Sequence, residues 1–276
     1  FERASGFTIG TDNDGWNTDY FSTGYAVGWL NQANLAVNLA DQGYRVGLVD
    51  ADIFGFSIPG QLGIKDKPTR VDEMILPPVA FDVKVISIGM FLDDNKPVAW
   101  RGPMLHRAIE QFLCDVFWGD LDFLLIDMPP GTGDVAITVG QQLPNAEVLV
   151  VTTGQNAASE VAVRAGVVAR QTGQRILGVV ENMGPLVLPD GSALALFGEG
   201  GAEAVARDLS IGKDKPVEVL AKIPLSLGLR EGGDEGTPIV LSHPADPAAQ
   251  AITELARVIA HSGPSRAGIN LGITPA

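Results

Sequence analysis

Apolar residues follow two alternating patterns along the chain, and together these patterns predict an α/β fold. Short runs that are apolar throughout predict buried strands, whereas apolar residues at helical spacing predict helices. We expect strands at 45–50, 83–88, 123–127, 147–153, 175–180 and 217–223, and helices at 33–39, 104–116, 156–171, 201–209 and 247–259. Because helices separate the apolar strands, we predict a single domain with a mainly parallel sheet and helices on both faces.

The two ends of the chain lack this alternation. Residues 1–33 are polar and irregular in pattern, so we expect an aberrant N-terminal segment in which residues 1–25 form no regular element. The main domain is expected at 34–262, beginning with a helix over 32–40. The Gly- and Pro-containing residues 263–276 are expected to form a flexible tail.

Composition narrows the possible partners. The chain has 33 acidic and 19 basic residues, a net charge of −14, which disfavours binding to nucleic acid or to anionic membranes. No apolar run is long enough to span a bilayer. The start at Phe1 has no signal-peptide pattern and no initiator Met, so we expect a fragment. The single cysteine, Cys114, excludes an internal disulfide and favours a reducing cytoplasm.

Polar residues follow three of the predicted strands where each strand ends. Asp50 and Asp52 follow one strand, Asp127 ends another, and Asn182 follows a third. Because the carboxyl ends of parallel strands meet at one edge, these side chains are expected to lie close together. An Asp at such a position can hold a water of Mg²⁺. From the residues alone, the loop after Asp127 can also be interpreted as an ordinary strand-to-helix turn in which Asp134 caps the helix.

Several blocks of this sequence resemble the Mrp/ApbC family of P-loop ATPases, iron–sulfur cluster carriers of the MinD/ParA-like SIMIBI class. They lie at 48–59, 100–105, 115–134, 178–183 and 229–234, within a similarity that runs from about Asn34 to about Ala260. The resemblance implies a SIMIBI-type fold and a homodimer that binds ATP and Mg²⁺, carries a [4Fe–4S] cluster and serves iron–sulfur client apoproteins.

The resemblance also assigns expected roles to individual residues. Asp52 matches the acid that orients the attacking water, and Asp127 matches the catalytic acid that holds Mg²⁺ through water. The remaining matches to nucleotide-binding positions are Asp50 in switch I, Gly131, Thr132 and Gly133 in the switch II turn, Asn182 at the adenine edge and Pro224 in the loop over the base.

The sequence departs from the family at its phosphate-binding loop. Counted back without gaps, the loop Gly-Lys-Gly-Gly-Val-Gly-Lys-Ser falls at 26–33, where only Gly28 is kept. Gln32 replaces the phosphate-binding lysine, Ala33 replaces the Mg²⁺-binding hydroxyl and Val27 replaces the second lysine. The strand before the loop is also expected to be missing. We therefore expect weak or absent Mg·ATP binding, whether a frame error has replaced this segment or the protein is a genuine pseudo-ATPase.

A second departure concerns the cluster. Residues 184–191 contain no cysteine, so the chain is similar to a family branch without the Cys-x-x-Cys motif, and we identify no iron–sulfur ligands. Cys114 lies on an apolar helix and is expected in the core. Two functions remain open: an ATP-binding cluster carrier or assembly protein, and a nucleotide-incompetent scaffold or client-binding homodimer. A membrane-associated partition ATPase is disfavoured because no basic amphipathic C-terminal helix is present.

Overall fold

The computed structural model describes residues 19–23, 29–52, 55–91, 102–129, 131–188 and 190–262. The strands are β1 (Asp19–Thr23), β2 (Val46–Asp50), β3 (Thr69–Val71), β4 (Met74–Leu76), β5 (Val79–Ala80), β6 (Val83–Ser87), β7 (Phe123–Asp127), β8 (Glu147–Thr152), β9 (Arg175–Gly184), β10 (Leu186–Val187), β11 (Ala193–Leu194) and β12 (Val219–Pro224). The α-helices are α1 (Trp29–Asp41), α2 (Ile58–Gln61), α3 (Gly102–Cys114), α4 (Asp134–Gln142), α5 (Asn156–Gln171), α6 (Gly201–Ser210), α7 (Leu227–Glu235), α8 (Ile239–Ser242) and α9 (Pro247–Ser262).

Eight strands form one sheet in the order β12-β9-β8-β1-β7-β2-β6-β5. Every neighbouring pair is parallel except the pair of the short edge strand β5 with β6. The central strands β2 and β7 are buried over their whole length, as their uninterrupted apolar sequences predict. The predicted mainly parallel sheet is therefore confirmed.

Strand β1 corrects the expectation that residues 1–25 form no regular element. Asp19–Thr23 lies in the middle of the sheet and pairs in parallel with both β7 and β8. The strand expected before the phosphate loop is therefore present. Strand β1 is needed there because, without it, β7 and β8 would each have a row of buried N–H and C=O groups without hydrogen-bond partners. A sequence with no apolar run gave no sign of this.

Helices cover the sheet in two groups. Helices α1 and α9 contact each other and pack on β2 and β12, respectively, with α8 against both helices. Helices α5 and α6 contact each other and pack on β8 and β9, α4 contacts α5, and α3 contacts α4. The predicted helix after residue 32 is confirmed and begins earlier, at Trp29. The core is a single apolar cluster between these layers.

Two small antiparallel hairpins, β3–β4 and β10–β11, lie outside the main sheet. Within the described residues, no helix combines the length and the apolar character needed to cross a membrane.

Candidate functional site

Asp50 and Asp127 lie side by side at the carboxyl edge of the sheet. Each is the last residue of its strand, and the two are register partners in the parallel pair β2–β7. The backbone N–H of Ala51 donates to the carbonyl oxygen of Asp127 at 2.8 Å, so the chain leaving β2 stays against the end of β7. The prediction that these two acids share one edge is confirmed.

The Asp50 carboxylate is fully buried and serves as a local anchor. One of its oxygens, Oδ2, accepts hydrogen bonds from the backbone N–H groups of Ser57 and Ile58 and from the hydroxyl of Ser87. The other oxygen, Oδ1, has no hydrogen-bond partner within the described part of the chain. Burial raises the pKa of Asp50 to about 7, against the lowering effect of these three donors. An acid at this position is half protonated near neutral pH.

Asp127 is also buried, and a side chain from α1 reaches it. Burial raises its pKa well above the ordinary value, and the charge of Asp50 adds to the rise. A hydrogen bond from the Gln32 side chain acts in the opposite direction. Gln32, at the position where the phosphate-binding lysine was expected, therefore supplies a neutral amide to this acid.

Asp52 is buried two residues beyond Asp50 and faces its own loop. Its Oδ1 accepts the backbone N–H of Gly55 at 3.1 Å. Its charge contributes to the raised pKa of both Asp50 and Asp127, which places the three acids in one electrostatic cluster. In the part of the chain that the structure describes, these acids do not form a group of metal-ligand spacing.

The turn after Asp127 has an open, backbone-rich surface. Gly131 has φ of 91°, a conformation that favours glycine, and an added Cβ at Gly131 or Gly133 would meet no atom within 4 Å. Thr132 is exposed between them. The N-cap residue of α4 is Gly133, so the alternative interpretation, in which Asp134 caps this helix, is wrong in its choice of cap residue. The turn leaves room for a ligand beside backbone N–H groups.

Asn182 and Pro224 lie farther along the same edge. Asn182 is close to the end of β9, and its Oδ1 accepts the N–H of Met183 at 2.8 Å. Pro224 ends β12 opposite Gly184. Strands β8 and β1 separate β9 from β7, which places Asn182 about 14 Å from the Asp127 strand. Asn182 thus shares the edge with the acids but is not adjacent to them.

The region expected to hold phosphate is partly helical. Helix α1 begins at Trp29, so positions 29–33 of the expected loop belong to the helix, and Gln32 and Ala33 are both buried. Gly28 lies outside the described residues, as do residues 1–18 and the expected tail at 263–276. The helical turn at 29–32 leaves little of the glycine-lined loop that surrounds a phosphate.

The segment without cysteine, residues 184–191, leads into the β10–β11 hairpin. Cys114, the only cysteine of the chain, is half-buried at the end of α3 and packs against the core. This position agrees with the expectation that Cys114 belongs to the core.

Sequence reasoning missed two partners of Asp50. Ser87 is the last residue of β6, and the N-terminus of α2 supplies two N–H groups. Ser87 could have been found, because it is a polar residue ending an apolar strand, which is the same signal that identified Asp50. The α2 contacts could not, because they depend on how the loop after Asp52 turns back.

A mainly parallel sheet between helix layers, with acids ending two adjacent strands, defines the class of this protein as a P-loop NTPase fold. The chain belongs to the family described as "ParA: NUBPL iron-transfer P-loop NTPase", whose model matches residues 30–260.

Relatives of this chain carry a consistent description. The "Iron-sulfur cluster carrier protein" of Mycobacterium tuberculosis is 54% identical over 242 residues, covering 88% of this chain and 64% of the relative. The protein of the same name from Saccharolobus solfataricus is 40% identical over 229 residues, covering 81% of this chain and 75% of the relative. This chain therefore spans less than two thirds of the length of the mycobacterial relative.

Solved structures agree with the fold. A nucleotide-binding protein from Archaeoglobus fulgidus in complex with ADP has a TM-score of 0.66 at 34% identity, covering 80% of this chain and 87% of that chain. The septum site-determining protein MinD from Pyrococcus horikoshii has a TM-score of 0.64 at 24% identity, covering 93% and 100%, and supports the fold alone.

Proposed function

We propose that this protein takes part in iron–sulfur cluster assembly or transfer without binding Mg·ATP tightly. The family and the named relatives support the first half of the proposal. The lack of tight Mg·ATP binding is inferred from the hydrogen bond that Gln32, on the helical turn that begins at Trp29, donates to Asp127.

The phosphate side of the site does not fit Mg·ATP. A helix over 29–33 directs its N–H groups along its own axis, whereas a phosphate loop wraps them around the ligand. Gln32 carries no charge and Ala33 carries no hydroxyl for a metal. Loss of one charged contact in a buried site costs on the order of 2–5 kcal/mol. Loss of the lysines, the hydroxyl and the glycines together leaves little affinity for the triphosphate.

The acid side does fit a hydrated cation. Asp50 keeps one buried carboxylate oxygen without a partner among the described residues, and Asp127 is its register neighbour. In a chain with a restored loop, Asp127 would hold a water of Mg²⁺ and Asp52 would orient the attacking water. Asn182 and Pro224 would then contact the base, with Gly131, Thr132 and Gly133 close to the terminal phosphate. In the present chain we assign no hydrolytic step to these residues.

The cluster is cargo in this proposal. The hairpin at 184–191 offers no thiol, and Cys114 is the chain's only one, so the protein is proposed to assist client apoproteins and not to store a cluster. We further propose that it works as a homodimer in a reducing cytoplasm. The segment up to residue 33 is proposed to be a replaced one, which resequencing of the gene would test.

The proposal predicts that no stable cluster forms. After anaerobic reconstitution with iron and sulfide, the purified protein should show neither visible iron–sulfur absorption nor stoichiometric iron, because two Cys114 thiols per dimer are too few for a [4Fe–4S] cluster. Cys114→Ala is the control and should behave identically. Close to four irons per dimer, lost in Cys114→Ala, would contradict the proposal.

Rebuilding the phosphate loop tests the proposed lack of tight Mg·ATP binding. Replacement of residues 26–33 by Gly-Lys-Gly-Gly-Val-Gly-Lys-Ser should create micromolar Mg·ATP binding in a calorimetric titration, because β1 and the acid side are already in place. The matched control carries the same loop with alanine for its last lysine and should not bind. If the rebuilt chain folds and still fails to bind, the defect lies outside the loop and the assignment is wrong.

A further inference from the structure

The β10–β11 hairpin forms a two-stranded sheet of its own. Its two strands pair antiparallel, with Leu186 opposite Leu194 and Val187 opposite Ala193. The connecting turn is closed by a hydrogen bond from the N–H of Leu188 to the carbonyl of Ser192. The Ser192 N–H and hydroxyl both donate to the Asp190 carboxylate, at 2.9 and 2.6 Å. These hydrogen bonds lie within the hairpin itself.

Both ends of the hairpin are fixed to the carboxyl edge of the sheet. On the incoming side, the carbonyl of Gly184 accepts the N–H of Leu225 at 3.0 Å. On the outgoing side, the backbones of Gly198 and Gly154 are so close that a Cβ on Gly154 would lie 2.3 Å from the Gly198 oxygen. The hairpin is therefore presented at the edge that carries the candidate site, and little conformational entropy remains to be lost on binding.

The hairpin and the residues that follow it carry apolar side chains that are about half exposed. Leu194 is 48% exposed and Leu196 is 57% exposed, on the outgoing side. Val187, 51% exposed, lies on the opposite face of the two-stranded sheet, because its register partner is Ala193. Leu194 and Leu196 are neighbours, since the N–H of Leu196 donates to the carbonyl of Leu194 at 3.1 Å. Neighbouring exposed apolar residues mark an interaction surface more often than scattered single ones do.

The charge around the hairpin decides between possible occupants. Residues 184–201 include Asp190 and Glu199 and no lysine or arginine. Hydrogen bonds from Ser192 hold the pKa of Asp190 below its ordinary value, so this carboxylate stays ionised. A second copy docking here by two-fold symmetry would bring the Asp190 and Glu199 carboxylates of one chain against those of the other. A partner with basic residues beside its apolar ones meets opposite charge instead.

We propose that the outgoing side of this hairpin, at Leu194 and Leu196, docks an extended segment of a client protein in which apolar and basic residues alternate. The proposal rests on the proposed function in taking the partner to be an iron–sulfur client. The apolar side chains supply the contact, and Asp190 and Glu199 select basic partners.

The experiment uses a short synthetic peptide, labelled with fluorescein, in which leucine and lysine alternate. Its binding to the full chain is followed by fluorescence anisotropy at physiological salt, without nucleotide or cluster. Leu194→Ser/Leu196→Ser should weaken binding roughly tenfold, a loss of about 1.4 kcal/mol. Val187→Ser, on the other face of the same hairpin, is the matched control and should bind like the parent. The parent chain should bind a leucine–glutamate peptide, or a serine–lysine peptide, no more tightly than the double variant binds the leucine–lysine peptide.

Three outcomes would overturn the proposal. Equal binding by Leu194→Ser/Leu196→Ser and the parent would show that the peptide binds elsewhere. Equal binding of the leucine–lysine and serine–lysine peptides would reduce the effect to net charge. A dimer that is lost only in the double variant, measured by analytical ultracentrifugation, would assign this face to a second copy. None of these readouts involves Mg·ATP, so tight nucleotide binding would refute the proposed function and leave this result standing.

Discussion

At the scale of single residues, two neighbouring acids and one amide decide the chemistry of the candidate site. The pKa of Asp50 is raised to about 7 and that of Asp127 is raised well above its ordinary value, in both cases chiefly by burial. Gln32 opposes the rise at Asp127 by one neutral hydrogen bond, where a lysine would have opposed it with a full charge. Asp50 and Asp127 therefore keep protons that they would release beside a cationic side chain.

The raised pKa of Asp50 predicts a pH dependence of stability. Its folded pKa, about 7, lies above the ordinary value of 3.8, so between these values the unfolded chain has lost a proton that the folded chain keeps. The free energy of unfolding must then fall as pH rises through this window. From pH 5 to pH 8 the loss due to this group is about 3 kcal/mol.

Asp50→Asn tests this dependence by urea unfolding with a chelator present. The amide oxygen can still accept from Ser87, Ser57 and Ile58, but the side chain cannot ionise. The variant should lose about 3 kcal/mol less than the parent between pH 5 and pH 8, whatever constant cost the substitution adds. Asp190→Asn, at an exposed acid, is the control. An unchanged difference between the two pH values would show that Asp50 is ionised throughout.

At the scale of elements, the strand ends could be predicted from the sequence and the contacts between loops could not. Strand β7 lies where its apolar run predicts, and its register with β2 follows from the strand-end rule. Strand β1 was missed because Asp-Tyr-Phe-Ser-Thr has no apolar run, and its place is set by its neighbours. Helix α7 was missed because its sequence is rich in glycine, and the Ser226 side chain and Gly236 cap its ends.

The central position of β1 makes a proline substitution informative. Phe21 pairs with Leu125 on one side and Glu147 on the other. Phe21→Pro removes a backbone donor between two parallel neighbours and should lower the free energy of unfolding by about 3 kcal/mol, measured by urea unfolding. Asp66→Pro, in an exposed loop, should cost far less. Equal, small effects of the two substitutions would place Phe21 outside the sheet.

At the scale of the whole molecule, the fold is that of the family, and we propose that one part of the ligand site is replaced. The family match covers residues 30–260, whereas residues 29–33, where the phosphate loop was expected, form a helical turn. Folding depends on apolar burial spread over the whole core, and phosphate binding depends on a few charged and glycine positions. A change confined to residues 29–33 can therefore remove phosphate binding and spare folding.

Isothermal titration of Mg·ATP into the unmodified, purified chain tests the proposed lack of tight nucleotide binding. No saturable heat is expected up to millimolar nucleotide, because residues 26–33 contain no lysine and Gln32 is bonded to Asp127. A dissociation constant in the low micromolar range, with one nucleotide per chain, would contradict it.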